Sequence, residues 1–293
     1  MKKLLLCALL TLALLFGCQA FASPVTQLSD GTKPDFPESS KLLKVYFINT
    51  HGASDAILLT YDGQSMLIDC GDTNYGLMFV KPLLDNLGID HVDYAFNTHP
   101  HDDHINGFLS LLDHVSIGRF YTAFPFSYSA EQTSVMKAAM AHGVEIVNVD
   151  NESDISFGEL RIWLYQDAKF LTPVAAKANS ASMIIHITLG NSTVMITGDA
   201  EKPVFSDMYA EKGDAIQADI IKIPHHGYNT PSYEVFKVIG SKFAVITNYY
   251  NERLADSSQF LRNNACQILY TGRGTVEAVT DGTRWTIGQL TDR

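Results

Sequence analysis

Cysteine is scarce in this chain. Four occur in 293 residues, and two of them, Cys7 and Cys18, lie within or at the edge of an apolar N-terminal segment. The remaining pair, Cys70 and Cys266, excludes a disulfide framework and leaves open a single bridge. Basic residues are also few, 21 against 32 acidic, for a formal net charge of −11. The chain therefore lacks the broad positive surface that non-specific polyanion binding needs, although a local patch or a bound cation is still compatible with phosphate recognition. Long apolar runs are missing as well. The one candidate, residues 4–16, falls short of the roughly 20 residues that a membrane span requires. Beyond residue 41 there is no low-complexity tract and no short-period repeat, so neither a disordered tail nor a repeat array is expected there.

What is present begins with an export signature. Lys2 and Lys3 precede the apolar run, and Ala20-Phe-Ala22 offers a small-x-small cleavage site. Residues 1–22 are expected to form a signal peptide. Leu14-Leu-Phe-Gly-Cys18 also resembles a bacterial lipoprotein box, so a lipid anchor at Cys18 and a soluble secreted or periplasmic form both stay open. Residues 23–41, rich in Ser, Pro, Thr and Asp, read as a flexible linker with no fold of its own. Residues 42–293 read as one domain.

Within that domain, strands are expected at 43–48, 56–61 and 65–69, with Asp62-Gly63 as a hairpin turn. A helix is expected over 78–87, a buried strand over 92–97, a helix over 108–114, a short strand over 119–122, a helix over 130–142 and a strand over 144–149. The second half repeats the style. Hairpins 154–157/160–165 and 183–189/192–196 are followed by helix 201–211, strand 218–223, helix 232–238, strand 243–247 and helix 257–264. Strands 267–271, 276–280 and 284–287 close the chain. Two mixed sheets packed face to face, with helices outside, account for this order. Loops from both halves would then converge along one edge.

The densest chemistry lies in residues 99–104, His-Pro-His-Asp-Asp-His, expected on a loop between strand and helix. So many imidazoles and carboxylates in six positions would be desolvated at a cost of several kcal/mol unless a divalent cation paired them. Further on, residues 194–199 end a buried strand in Gly-Asp. Asp199 there is compatible with a metal ligand, though Gly-Asp is also a common turn. Residues 221–227 run an apolar strand into Pro-His-His-Gly, where His225 and His226 suit a ligand or catalytic role. His51, after a strand, and Asn179, before one, are candidates to line a pocket. His91, His114, His142 and His186 read as structural or surface residues.

His99-Pro-His-Asp-Asp-His104 resembles the His-x-His-x-Asp-His signature of the metallo-β-lactamase superfamily. Leu67-Ile-Asp69 with Gly71, Thr197-Gly-Asp199 and His225 follow in matching order. Gly52 with Asp55-Ala56, Asn179 with Ser182, and Pro224-His-His-Gly227 resemble the hydrolase domain of ComEC-type competence proteins and its free-standing secreted relatives. The resemblance covers residues 43–290. It implies an α/β four-layer αββα sandwich and two divalent ions, zinc before manganese. It implies that His99 and His101 hold one ion, that Asp103, His104 and His225 hold the other, and that Asp199 bridges them. It further implies a hydrolase that attacks with a metal-bridging hydroxide, with Asp103 orienting the nucleophile and His226 or His51 donating a proton. The implied substrate is a phosphodiester, DNA included. A small diester such as a phosphocholine ester, or a non-catalytic binding protein of the same fold, is the alternative. The chain departs from the family in two places. Asn179 stands where a further histidine ligand is common, and a neutral oxygen donor suits zinc less well than imidazole. Asn49-Thr-His-Gly-Ala-Ser-Asp55 replaces a more glycine-rich pattern.

Overall fold

A computed structural model describes residues 25–27, 35–38, 40–171 and 177–290; the expected signal segment lies outside the described residues. The chain enters the domain through a hairpin meander. β1 is Val25–Gln27, β2 Leu43–Phe47, β3 Ala56–Tyr61 and β4 Gln64–Cys70. Asp62 and Gly63 both take positive φ, +50° and +79°. That pair of left-handed residues turns the chain with the twist two antiparallel strands need. After β4, a π-helical turn over Gly76–Val80 runs into α1, Lys81–Asn86, so the helix expected at 78 begins earlier. β5 (His91–Phe96) follows, then α2 (Asp102–Ile105), α3 (Gly107–Leu111), β6 (Ser116–Thr122), α4 (Ala130–Ala141) and β7 (Glu145–Asn148).

The second half contributes β8 (Arg161–Tyr165), β9 (Ile184–Leu189), β10 (Ser192–Ile196), α5 (Lys202–Lys212), β11 (Ile220–Lys222), α6 (Tyr233–Ile239), β12 (Phe243–Ile246), α7 (Ala255–Asn263), β13 (Gln267–Tyr270), β14 (Val276–Thr280) and β15 (Trp285–Gln289). The expected strand at 154–157 reduces to one isolated bridge, Phe157 to Leu160. Gly158 turns the chain too tightly there, at φ +58°, for a ladder to extend.

Among the described residues, one sheet has the order β1-β15-β14-β2-β3-β4-β5-β6-β7 and the other β13-β12-β11-β10-β9-β8. Both are mixed, with antiparallel hairpins running into parallel strands that helices connect. The closing hairpin does not stay with the second half. β14 pairs antiparallel with β2, which satisfies the free edge of β2 and buries Val276, Ala278, Trp285 and Ile287 between the sheets. Within the segment read as linker, Val25–Gln27 pairs parallel with β15, so the linker reading does not hold for those three residues.

The layers follow from strand alternation. Val45 and Phe47, Ile57 and Leu59, and Met66 and Ile68 face the other sheet, where Ile185, Ile187, Val194, Ile196 and Val245 meet them. Their neighbours Tyr46, Leu58 and Leu67 point outward and are covered by Leu84, Phe108, Leu111, Val135 and Met136. Val204, Phe205, Met208, Phe236 and Leu261 cover the outer face of the second sheet. Each such side chain contributes about 1.5–3 kcal/mol of burial. The result is the four-layer αββα sandwich. Cys70 and Cys266 are separate buried thiols. No helix among the described residues is long and apolar enough to cross a membrane.

One close contact sets the site. The Gly107 amide donates to the carbonyl of Gly71 at 2.7 Å, and a Cβ at Gly107 would lie 1.9 Å from the carbonyl oxygen of Cys70. Only glycine lets α3 press against the end of β4 this closely. α2, immediately before it, is thereby held over the strand ends.

Candidate metal centre

The centre forms where β4, β5, β10 and β11 end. β5 stops at Phe96, and Thr98 is clamped by Asp69 at the end of β4. The Thr98 amide donates to Asp69 Oδ1 at 2.7 Å and its hydroxyl to Oδ2 at 2.6 Å. His101 is the extended N-cap of α2, and Asp103 and His104 stand in its first turn. The second half of the histidine cluster is therefore helical rather than loop. His104 Nδ1 lies 2.8 Å from Asp69 Oδ2. A carboxylate only accepts, so Nδ1 carries the proton and Nε2 is turned inward.

Asp199 arrives from the opposite sheet. Gly198 turns the chain at φ +50°, and a Cβ there would meet Thr98 at 2.8 Å. The glycine lets the ends of β10 and β5 touch. The Asp199 amide donates to Ser182 Oγ at 3.1 Å, which leaves the carboxylate between two groups of donors. On one side His99 Nε2 lies 3.8 Å from Asp199 Oδ2 and 3.1 Å from His101 Nδ1. On the other, His104 Nε2 lies 3.2 Å from Asp199 Oδ1, and His226 Nε2 lies 3.0 Å from Asp103 Oδ2 and 3.7 Å from Asp199 Oδ2. Asp55 adjoins the second group through His226 Nδ1, at 3.2 Å.

Of the residues expected from sequence, His99, His101, Asp103, His104 and Asp199 converge. Of the two consecutive histidines, it is His226, almost fully buried, that enters the second group. The side chain of His225 is 36% exposed. It sits on the rim with Nε2 3.8 Å from Asp199 Oδ2 and its ring 5.6 Å from Tyr228. The cause is local. His225 and His226 both take left-handed backbone, φ +52° and +51°, and this sharp turn sends the second side chain inward. Asn179 lies at the foot of the segment that leads to Ser182, and its Oδ1 is buried without a hydrogen-bond partner. His51 is exposed, with Nδ1 2.8 Å from the Tyr249 hydroxyl and its ring 5.1 Å from Phe79. His91, His142 and His186 bond to Ser116, Asp113 and the Gln217 carbonyl respectively, as structural histidines do.

Charge is balanced tightly. Burial pushes His99 well below its ordinary value, and the neighbouring His104 adds to this. Burial also opposes a charge on His104, but Asp199, Asp103 and Asp69 outweigh it and raise the group well above its ordinary value. Burial would raise the Asp103 and Asp199 carboxyls, yet the surrounding imidazoles hold both below the carboxylate range. Three carboxylates, Asp55, Asp103 and Asp199, and four imidazoles, His99, His101, His104 and His226, at these distances suit divalent cations. A direct observation supports the fit. Asp199 Oδ1 and His104 Nε2 are buried, face each other, and neither makes a well-formed hydrogen bond. Two sets of donor atoms, His99–His101–Asp199 and Asp55–His104–Asp199–His226, are each compact enough to surround an ion.

Sequence reasoning missed Lys222 and Thr247 and assigned no role to Asp55. The one available signal was a single lysine inside the apolar strand Ile220–Lys222. A cation at such a position is almost never buried without a partner.

The comparisons with known proteins agree with this geometry. A family model described as the Metallo-beta-lactamase superfamily matches residues 49–242, more than half of the chain. ComE operon protein 3 of Bacillus subtilis (strain 168) is 26% identical over 202 residues, which is 67% of this chain. Competence protein ComA of Neisseria gonorrhoeae is 21% identical over 216 residues, 72% of this chain. The matches cover only 26% and 28% of those two relatives, so the chain corresponds to little more than a quarter of each. The metallo-beta-lactamase fold protein YhfI from Bacillus subtilis superposes with a TM-score of 0.52 at 16% identity, over 78% of this chain and 96% of that one. Sheet order, the donor groups shared through Asp199 and the family match lead to one assignment: the chain belongs to the metallo-β-lactamase superfamily.

Proposed function

We propose that the chain is an exported metal-dependent hydrolase of phosphodiester bonds. The observation that carries the reading is the pair of donor groups joined by Asp199. In this reading His99, His101 and Asp199 hold one divalent ion, and Asp103, His104, His226 and Asp199 hold the other. Zinc suits the imidazole-rich set, and manganese suits an oxygen-supplemented first site if Asn179 completes it. Two such ions supply a strong nucleophile at neutral pH and neutralise charge on the oxygens of an in-line displacement.

The chain's own residues do the rest. The Asp103 side chain is about a third exposed, so its carboxylate reaches solvent and can orient the attacking water. Both ring nitrogens of His226 are engaged, by Asp55 and by the inward donor group. The proton-donor role considered for His226 therefore passes to the rim, to His225, whose imidazole can donate a hydrogen bond to a phosphate oxygen. His51, tied to Tyr249, borders the same mouth. Similarity to competence proteins supports DNA as substrate; the acidic balance pulls mildly against a long polymer, and a small diester is the alternative. The N-terminal segment supports export to the periplasm, the medium or the envelope, with or without lipid at Cys18.

The test is metal analysis with turnover of bis(p-nitrophenyl) phosphate, followed by single- and double-stranded DNA. Bound metal, reporter cleavage and DNA degradation are expected. Absence of both metal and turnover, with zinc and manganese supplied, refutes the enzyme reading. Reporter cleavage without DNA loss selects a small diester.

A further inference from the structure

Lys222 is the least expected side chain in the molecule. It is a lysine with no exposed surface, inside β11. Its ammonium pairs with Asp55 Oδ2, donates to the Gly198 carbonyl at 2.8 Å and stands 3.7 Å from Asp199 Oδ1. Asp55 is equally buried. Its other oxygen, Oδ1, accepts from the Thr247 hydroxyl at 2.5 Å and from His226 Nδ1 at 3.2 Å. Oδ1 is thus committed to two hydrogen-bond donors, while Oδ2 is held by the Lys222 ion pair without a well-formed hydrogen bond.

Although Asp55 belongs to a donor set compact enough for an ion, we propose that Asp55, Lys222 and Thr247 form a buried tether that positions His226 for metal binding, with Asp55 itself outside the coordination shell. The inference rests on the metal-centre reading given above.

Three observations lead to it. A carboxylate can only accept, so the Asp55 contact requires a proton on His226 Nδ1 and leaves Nε2 to face Asp103 and Asp199. The His226 backbone is left-handed, as is that of His225 before it. A non-glycine residue holds that conformation only where its surroundings over-determine it, and the tether is one such constraint. Asp55, immediately before β3, and Lys222, the last residue of β11, are also brought from separate sheets. Their contact therefore fixes the two halves of the centre relative to each other. Lys222 has a second effect, since it keeps a fixed positive charge on Asp55 and prevents that carboxylate from swinging toward an ion.

The test replaces the pair in ways that preserve folding. A buried ion pair exchanged for uncharged groups of similar volume is often tolerated, so the double variants Asp55→Leu/Lys222→Met and Asp55→Asn/Lys222→Met are compared with wild type. Two readouts are used. The first is zinc affinity by chelator competition. The second is the hydrogen-bonded His226 Nδ1 proton, seen by NMR of histidine-labelled protein with and without zinc. Loss of a partner behind a metal-ligating histidine typically weakens metal binding 10–100-fold. That loss is expected at one zinc equivalent in the Leu/Met variant, together with disappearance of the slowly exchanging proton. The Asn/Met variant keeps an acceptor oxygen and is expected to recover both. A Leu/Met variant that binds zinc like wild type overturns the proposal, as does failure of the Asn/Met variant to recover either readout. If wild type binds no zinc, the metal-centre reading fails. The proton resonance still decides whether the tether holds His226.

Discussion

Acidification should destabilise the protein through a histidine that has no part in the metal centre. His186 lies in β9 with its ring stacked on Trp163, centroids 4.6 Å apart and planes 8° from parallel. Its Nε2 donates to the Gln217 carbonyl at 2.7 Å, and its Nδ1 is buried without a partner. Burial, reinforced by Arg161 and only partly offset by the Gln217 bond, lowers its pKa to about 4. In the unfolded chain the same group titrates near 6.5. Between these values the unfolded state binds a proton that the folded state excludes, so stability rises with pH across this window and falls as pH drops through it. The gap of about 2.5 units corresponds to about 3 kcal/mol when fully expressed, of which about 2 kcal/mol is already lost at pH 5. Urea denaturation at pH 7, 6 and 5 measures this directly. His186→Phe keeps the stacked ring and removes the titration, and comparing the two proteins cancels every other titrating group. Wild type should lose about 2 kcal/mol more than the variant between pH 7 and pH 5. Parallel pH profiles would refute the reasoning.

Other outcomes follow from packing and donor chemistry. Gly107→Ala should destabilise by several kcal/mol and reduce metal content, because its Cβ would meet the Cys70 carbonyl at 1.9 Å and push α2 off the strand ends; thermal melting and metal analysis check both. Asn179→His should raise zinc retention at the His99–His101 side, and unchanged retention would separate Asn179 from that site. Asp69→Asn should weaken zinc binding roughly 10–100-fold through His104, whose Nδ1 proton it would hold less firmly; chelator competition reads the change.

Much of this architecture was legible in the chain because alternation and turn chemistry are local. The Ile57–Leu59 and Met66–Ile68 strands, with Asp62-Gly63 between them, announce a buried hairpin. The histidine cluster likewise announces a centre, since few other arrangements tolerate such density. The placement of β14 beside β2 was not legible, because the partner of an edge strand is decided by which free edge and apolar face remain, 229 positions away along the register Val276↔Phe47. The choice between His225 and His226 was equally hidden. Adjacent histidines differ only once a left-handed turn orients them, and at two histidines such a turn carries none of the residue-type signal that a glycine would give. Lys222 carried a visible signal, a lone cation in an apolar strand, whose meaning required knowing that Asp55 lies opposite.

The central claim is a two-ion centre joined through Asp199. Metal content after zinc loading and extensive dialysis, measured on wild type and Asp199→Ala side by side, tests it most directly. The account predicts two zinc equivalents in wild type and loss of tight binding at both positions in the variant. A variant that retains both equivalents, or a wild type that retains none, would contradict it.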